Sequence, residues 1–501
     1  MKGEQNMADL LPNISVTLNQ VKATSGSRQV PINATVLLKA KSGPIGELTK
    51  ISSYSEMVKI FGYGDATTPA LYGIEQYLRT YNYVNIIRIA SSSAEKSSVA
   101  LKVEGEDPES ATALGTIISG ESVYETDIYN GDTIKLVYNS ARTRLSISGE
   151  LNGTTYITPL ELIDLSTATA DVLEGVLNKL VANWNALNTG ITLENKFINK
   201  TSSDNTLTAT DKVSGTVQLG DSGNDNTIST DSVVELLDLI EDPTVETQDV
   251  VMVPEFRNYT VVNKGTTLRN AYFYLVSATG TTLAEKQDAI ANYVASDKGV
   301  MYIPDGCVMG DPNITVPFEV AALYAWATTY NVNRYYAPAG IKRGVLNLVS
   351  NVVNNLNDLD AEVLYNGDVP ANPVKYLTNY GFTLYGQKTM DASQVFTNRI
   401  NVSNLVNYIQ IQGNIILQPY LFEYTPISTF QKVYLDLDKM LSNLATQEVL
   451  YDDYQIVCDT SNNTVETLTN HELHASLAVR PVNVTEYIYL DLTVTDKLGG
   501  E

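Results

Sequence analysis

Hydrophobic positions recur along this chain with two periods, and the switches between them mark out its organisation. Residues 13–19 alternate strictly, Ile14, Val16 and Leu18 against Ser15, Thr17 and Asn19, which is the period of a half-buried strand. The spacer Ala23-Thr24-Ser25-Gly26-Ser27 follows, then a second strand at 34–40 that Ser42-Gly43-Pro44 ends. A short helix is expected at 53–61 and a turn at Gly62-Tyr63-Gly64-Asp65. Pro69 opens a better helix, with Leu71, Ile74, Leu78 and Tyr81 at helical spacing. A compact apolar strand at 84–90 completes a strand–helix–strand unit suited to an α/β layer.

The pattern changes near Ser91-Ser92-Ser93. From about 98 to 230 the chain is rich in Thr, Ser, Gly, Asn and Asp, with a hairpin signal where Ile134, Leu136 and Tyr138 face Leu145 and Ile147 across a turn. One helix, near 170–187, interrupts the strands, and residues 220–226 read as an exposed loop. This region is read as an inserted β-rich domain. The α/β pattern resumes at 231: a helix marked by Val234, Leu237 and Ile240, strands at 250–253, 271–278 and 300–303, a helix at 284–295 and an apolar, buried helix at 317–330.

The last hundred residues form a further unit. Leu405, Ile409, Gly413 and Ile416 line one helical face, and Phe430, Val433, Tyr434, Leu437, Leu441 and Leu444 line a second. Strands follow at 455–458 and 475–480, with 467–470 as a turn. The final strand, 484–494, sets Ile488, Leu490, Leu492 and Val494 against Tyr487, Tyr489, Asp491 and Thr493.

Both chain ends therefore carry amphipathic strands, and a lone strand needs a partner for its N–H and C=O groups. Folding back onto their own domain and adding to the sheet edge of another copy both satisfy that need, and periodicity is compatible with either.

Composition narrows the function classes. Of 501 residues, 44% are hydrophobic and 18% charged, so the chain is globular. Its net charge of −24 supplies no cationic stripe for phosphates, so no nucleic acid is expected as partner, nor is an anionic membrane surface. No apolar run is long enough to insert across a bilayer. Cys307 and Cys458 form no metal or disulfide framework and read as small buried hydrophobes. Asn-x-Ser/Thr sites at Asn33, Asn258 and Asn483 read as accidents of composition.

Candidate chemistry is sparse. Gly62-Tyr63-Gly64 lacks the third glycine of a dinucleotide loop. His471 and His474 are the only histidines and read as a solvated turn rather than a metal site. Asp452-Asp453 reads as a solvated loop. No nucleophile–base pattern is present, so no cofactor and no catalysis are expected.

The order of short motifs resembles contractile tail sheath proteins of phages and phage-like injection particles. The N-terminal part carries Ser42-Gly43-Pro44, Phe61-Gly62 and the Arg-containing run Val84-Asn85-Ile86-Ile87-Arg88-Ile89. Then come Ala337-Pro338-Ala339-Gly340 with Gly344, and Gly381 with Tyr385-Gly386-Gln387-Lys388-Thr389. Asn398-Arg399 in a strand, Cys458-Asp459 before Asn462-Asn463-Thr464, and Pro481 with Glu486-Tyr487-Ile488 complete the set. The resemblance covers about 20–95 and 232–495. The family often has two basic residues where Asn398-Arg399 stands, which puts a specific charge contact there in doubt.

The resemblance implies a multidomain α+β and α/β protein. Residues 1–25 would be an N-terminal arm, 26–97 with 231–400 the α/β core, and 98–230 an outward-pointing insertion. Residues 401–484 would be an α+β inner domain against a tube, and 485–501 a C-terminal arm. Ile14, Val16 and Leu18 in the first arm and Tyr487, Ile488, Leu490 and Leu492 in the second would pair with a neighbour's sheet. Lys432, Asp436, Asp438 and Lys439 would face the tube, with Lys432 and Asp436 paired at i,i+4. From 401 to 501 the chain has thirteen acidic and four basic residues, which suits a basic tube surface. The implied partners are further copies in sixfold rings, the inner tube, and baseplate and tail terminator proteins, in a virion tail assembled in the host cytoplasm. The competing readings are another strand-exchanging shell or fibre protein and, behind it, an α/β enzyme.

Overall fold

The computed structural model describes residues 32–105, 114–139, 143–197, 207–208, 210–218, 220–224, 227–242, 244–393, 396–486 and 489. The first core segment contains β1 (Ala34–Lys39), β2 (Leu48–Ile51), α1 (Tyr54–Phe61), α2 (Pro69–Leu78) and β3 (Val84–Ile89). Eight strands and a helix then interrupt it: β4 (Lys96–Val103), β5 (Ile118–Glu125), β6 (Thr133–Asn139), β7 (Arg144–Leu151), β8 (Thr154–Ile157), β9 (Glu161–Leu162), α3 (Ala170–Ala186), β10 (Ile191–Asn195) and β11 (Val213–Thr216).

These strands form one antiparallel sheet of order β10-β5-β4-β11-β6-β7-β8, with β9 on β7. Strand β4 alternates exposed and buried residues because only one face is covered. Helix α3 covers that face with Leu173, Leu177, Leu180 and Trp184. Gly149 makes the room: a Cβ there would lie 2.5 Å from the Trp184 ring. The Trp184 indole N–H donates to the Ile191 carbonyl at 3.0 Å, which meets its one polar need.

The core resumes with α4 (Thr230–Asp238), β12 (Gln248–Met252), α5 (Tyr259–Gly265), β13 (Ala271–Ser277), α6 (Leu283–Ile290) and β14 (Gly299–Tyr302). It continues through β15 (Gly306–Val308), β16 (Thr315–Pro317), α7 (Phe318–Val332), α8 (Gly340–Arg343), β17 (Asn351–Val353), α9 (Asp358–Tyr365), β18 (Ala371–Asn372), β19 (Val374–Leu377) and β20 (Gly381–Leu384). The main sheet has the order β18-β14-β13-β12-β1-β3-β2. All neighbours are parallel except β2 on β3. Strands β3 and β12 flank β1 on opposite sides, so the winding direction reverses at β1 and helices cover both faces. Strands β3, β12 and β13 are accordingly buried throughout and show no alternation. Their buried polar residues satisfy one another: the Thr35 hydroxyl (2.6 Å) and the Asn85 amide (3.0 Å) both donate to Gln248 Oε1.

The C-terminal unit contains α10 (Ile400–Leu417), α11 (Ile427–Thr446), β21 (Gln455–Val457), α12 (Val465–Thr469) and β22 (Ser476–Ala478). Leu405, Ile409, Phe430, Val433, Leu437, Leu441 and Leu444 form its own apolar cluster with the buried Cys458. Cys307 is buried in the main core.

Several expectations change. The helix expected at 284–295 stops at Ile290, because Ala291 and Tyr293 bond back in tight turns. The turn expected at 467–470 is instead the second half of α12 with its C-cap Asn470, and the Thr464 hydroxyl caps the start of that helix. Residues 220–224 of the expected exposed loop are largely inside, with Gly220, Ser222 and Gly223 buried. Arg399 is not within a strand; it makes one bridge with Lys388 and caps α10. Among the described residues, no helix is long and apolar enough to cross a membrane.

Candidate assembly site

The N-terminal motifs meet at one place. Gly43 has φ +101°, and a Cβ there would lie 2.5 Å from the Phe61 ring, so Gly43 and Phe61 require each other. The Gly43 carbonyl accepts from Arg88 Nη1 at 2.7 Å. Arg88 is fully buried; its Nη1 also donates to the Glu125 carbonyl (2.9 Å) and its Nη2 to the Ser222 carbonyl (2.5 Å). Burial pulls its pKa down to about 10. Two of its three acceptors belong to the inserted sheet region, so Arg88 ties that region to the core. This is why 220–224 is inside: a Cβ on Gly220 would lie 2.2 Å from the Thr126 carbonyl oxygen.

The central motifs also meet. Leu384 N–H donates to the Gly344 carbonyl, and Leu346 N–H to that of Phe382, both at 2.8 Å. The Ala337–Gly344 segment thus packs along β20.

The C-terminal motifs converge on Glu486. Its carboxylate accepts from Arg399 Nε at 2.6 Å and Nη2 at 3.0 Å, and from Gln387 Nε2 at 2.9 Å. Each of these residues is legible in a motif, but their meeting across 99 and 87 positions is not. Just upstream, Val482 N–H donates to the Val449 carbonyl at 3.0 Å, and Pro481 bridges Leu450.

The sequence-derived pairing residues Ile14, Val16, Leu18, Tyr487, Ile488, Leu490 and Leu492 lie outside the described residues. Strands β21 and β22 pair only with each other among the described strands. Among the described residues, each has one edge without a strand partner. Ile456 and Leu477 pack on the α10–α11 cluster, and their flanking positions are exposed.

On α11, Lys432, Asp436 and Lys439 are exposed and Asp438 is half-buried. The expected Lys432–Asp436 pairing gives way to another: Asp436 accepts from the Tyr420 hydroxyl at 2.6 Å, and Asp438 from the Tyr454 hydroxyl at 2.7 Å. The hydrogen bond to Asp436 pushes the Tyr420 phenol up to about 12. A rigid ring reaching across the helix pair loses less rotamer freedom than a lysine stem. Sequence reasoning missed the loop between the helices, where Leu421, Phe422 and Tyr424 are exposed, as is Ile427 at the start of α11. The visible signal was an apolar run, Leu421-Phe422, where a turn is normally polar.

Elsewhere the buried Glu319 forms a structural pair with Arg257. Arg257 donates to Glu319 from Nε and Nη2, both at 2.7 Å, and pairs with Asp305. Sheets wound this way bind ligands outside the carboxyl ends of the strands at the reversal. Here Glu255, just past β12, closes that gap by accepting the Lys39 N–H at 2.8 Å. Gly64 serves packing: a Cβ would lie 2.2 Å from the Tyr72 nitrogen in α2. His474 pairs with Glu472 at 3.0 Å, and Asp453 pairs with Arg480 at 2.9 Å instead of standing free. No group of three or more potential metal ligands occurs among the described residues.

No family model matches the sequence. The tail sheath protein of Vibrio phage KVP40 is 27% identical over 255 residues, 50% of this chain and 37% of the relative. That of Enterobacteria phage T4 is 27% identical over 221 residues, 44% of this chain and 33% of the relative. The match thus spans about a third of the length of these curated relatives. Among solved structures, the sheath tail protein of Desulfitobacterium hafniense superposes with a TM-score of 0.57 at 10% identity, covering 91% of this chain and 97% of that one. The contracted helical sheath of the anti-feeding prophage gives 0.52 at 13% identity, covering 98% and 99%. At such identities the likeness is one of fold. Sequence relatives and solved structures converge on one group, and this chain is similar to the sheath proteins of contractile tails and injection systems.

Proposed function

We propose that this chain is the structural subunit of a contractile sheath, polymerising around an inner tube and contracting to drive that tube through a target envelope. The observation that carries this reading is the agreement of two likenesses. Sequence similarity to phage tail sheath proteins covers half the chain, and fold similarity to a sheath in its contracted state covers nearly all of it.

In this reading, the arms at 1–25 and 485–501 add strands to neighbouring subunits. A two-stranded sheet is marginal alone, and β21–β22, whose outer edges have no strand partner among the described residues, is the natural acceptor. Residues 401–484 face the tube and 98–230 point outward. Subunits form sixfold rings, with baseplate and tail terminator proteins at the ends. Contraction exchanges one subunit packing for another of lower free energy while the arms keep the mesh connected. The subunit does no catalysis and holds no cofactor; it works in a particle tail assembled in the host cytoplasm.

The test is negative-stain microscopy of the purified full chain, alone and with its tube protein. Long hollow polymers are expected. A protein that stays monomeric under both conditions would overturn the reading.

A further inference from the structure

The segment entering the C-terminal strand is fastened twice, to different bodies. Pro481 and Val482 are held by Leu450 and Val449 of the C-terminal unit. Four residues later, Glu486 is held by Arg399 and Gln387. Those two are tied to each other, since Ile400 N–H donates to the Gln387 carbonyl at 2.8 Å. They are also tied to the main sheet. The Asn372 side chain on β18 accepts from Lys388 N–H at 2.7 Å and donates to the Lys388 carbonyl at 2.8 Å and to the Met301 carbonyl of β14 at 3.0 Å. Gly386 permits this approach, because a Cβ there would lie 2.7 Å from Asn372 Oδ1.

The chemistry of the fastening is specific. Arg399 grips Glu486 with a two-pronged, charge-assisted pair, the geometry that best resists a change in angle. Both side chains are mostly covered, at 28% and 17% exposure, so water screens the pair only in part. Lys388 stands beside Arg399, and burial and that neighbouring charge lower its pKa while Glu486 opposes the shift. Glu486 answers the Arg399 charge directly, while the Lys388 ammonium is held by the Tyr365 carbonyl at 2.9 Å and Asn366 Oδ1 at 2.8 Å.

We propose that Glu486, gripped by Arg399 and Gln387, anchors the C-terminal strand to the main sheet of the core. Force on that strand then moves the core as a body instead of peeling residues 481–486 away. Glu486 and Arg399 are positioning residues: they set where the strand leaves, not what it pairs with. The proposal rests on the sheath reading.

The test compares full-length wild type with Glu486→Gln, Arg399→Gln and the double variant, by polymer yield in the microscope and by hydrogen exchange. Each single variant should keep its thermal midpoint, yet assemble about tenfold less, the effect of one lost charge-assisted hydrogen bond. The Val482 amide should exchange faster, and the double variant should be no worse than either single one. Should Glu486→Gln fail to fold, Arg399→Lys, which keeps the charge but loses the fork, carries the same expectation. Wild-type assembly with normal Val482 exchange in these variants would overturn the anchor while leaving the sheath reading intact. A wild type that never polymerises would count against the sheath reading itself.

Discussion

An arginine in a strand otherwise made of Val, Asn and Ile is costly unless its donors are met. Arg88 meets most of that need through Nη1 and Nη2, which donate to the backbone carbonyls of Gly43, Glu125 and Ser222, while its Nε is buried without a partner. Arg88→Met would keep the stem and strand these acceptors, at a cost of ~3 kcal/mol. Limited proteolysis should then cut the inserted region before the core; equal cutting of both would show that Arg88 does not hold that region. Glu255 sits in the opposite electrostatic position. Its Oε1 is sealed from solvent, and burial raises its carboxyl to about 7, although the Lys39 N–H and charge work the other way. The folded value lies above the ordinary 4.5, so the folded state holds the proton more tightly than the unfolded chain. Its stabilising contribution is complete below about pH 4.5 and is lost as pH rises to 7. Glu255→Gln keeps an acceptor for Lys39 N–H and removes this slope, amounting to at most ~3 kcal/mol. Urea denaturation at pH 5 and pH 8 should show the wild type losing stability between them and the variant losing much less; parallel losses would exclude Glu255 as the source. The sequence displayed Arg88 as an oddity within an apolar run but showed nothing unusual about Glu255, whose surroundings come from Lys39 and the start of α2.

At the scale of elements, legibility followed how much of each burial pattern was local. Strand β6 and helix α11 each pack one face, so their periods stood out. The parallel strands β1, β3, β12, β13 and β14 were found from their apolar runs, and the two-residue β18 was missed. Helix α6 was drawn too long because its far end is decided by turns around Tyr293, whose hydroxyl donates to the Arg257 carbonyl at 2.6 Å. Its start was more secure: Thr282 and Glu285 form a reciprocal capping box. Thr282→Ala should cost about 1 kcal/mol by denaturant titration, and no measurable loss would mean that the cap contributes nothing. The tube-facing assignment of α11 belongs to this scale too. Because Asp436 and Asp438 hold Tyr420 and Tyr454, reversing both charges tests two things at once. Tyr420→Phe with Tyr454→Phe removes the hydrogen bonds alone. Assembly on tubes should fail for Asp436→Lys with Asp438→Lys and persist for the tyrosine pair. Normal assembly of the charge-reversed protein would remove the tube-facing reading.

At the scale of the whole molecule, residues 481–486 cross from the C-terminal unit to the core. Two truncations separate their roles, one ending at Val484 and one at Glu486. Both should fold and neither should polymerise, and the longer one, which retains the anchor, should protect the Val482 amide more strongly from hydrogen exchange. Polymers from either would show that the terminal strand serves no neighbour. The sequence by itself determined the local periods, the interruption of an α/β pattern by a β-rich stretch, and a motif order resembling contractile sheath proteins. These are carried by neighbouring residues, where backbone geometry leaves few choices. Only the tertiary structure decided that the motifs are joints: Gly43 with Phe61 and Arg88, Gly344 with Leu384, and Glu486 with Arg399 and Gln387. Such joints are side-chain and carbonyl meetings across tens to hundreds of residues. No local period encodes them, because a hydrogen bond constrains which atoms meet and leaves no trace of their separation along the chain.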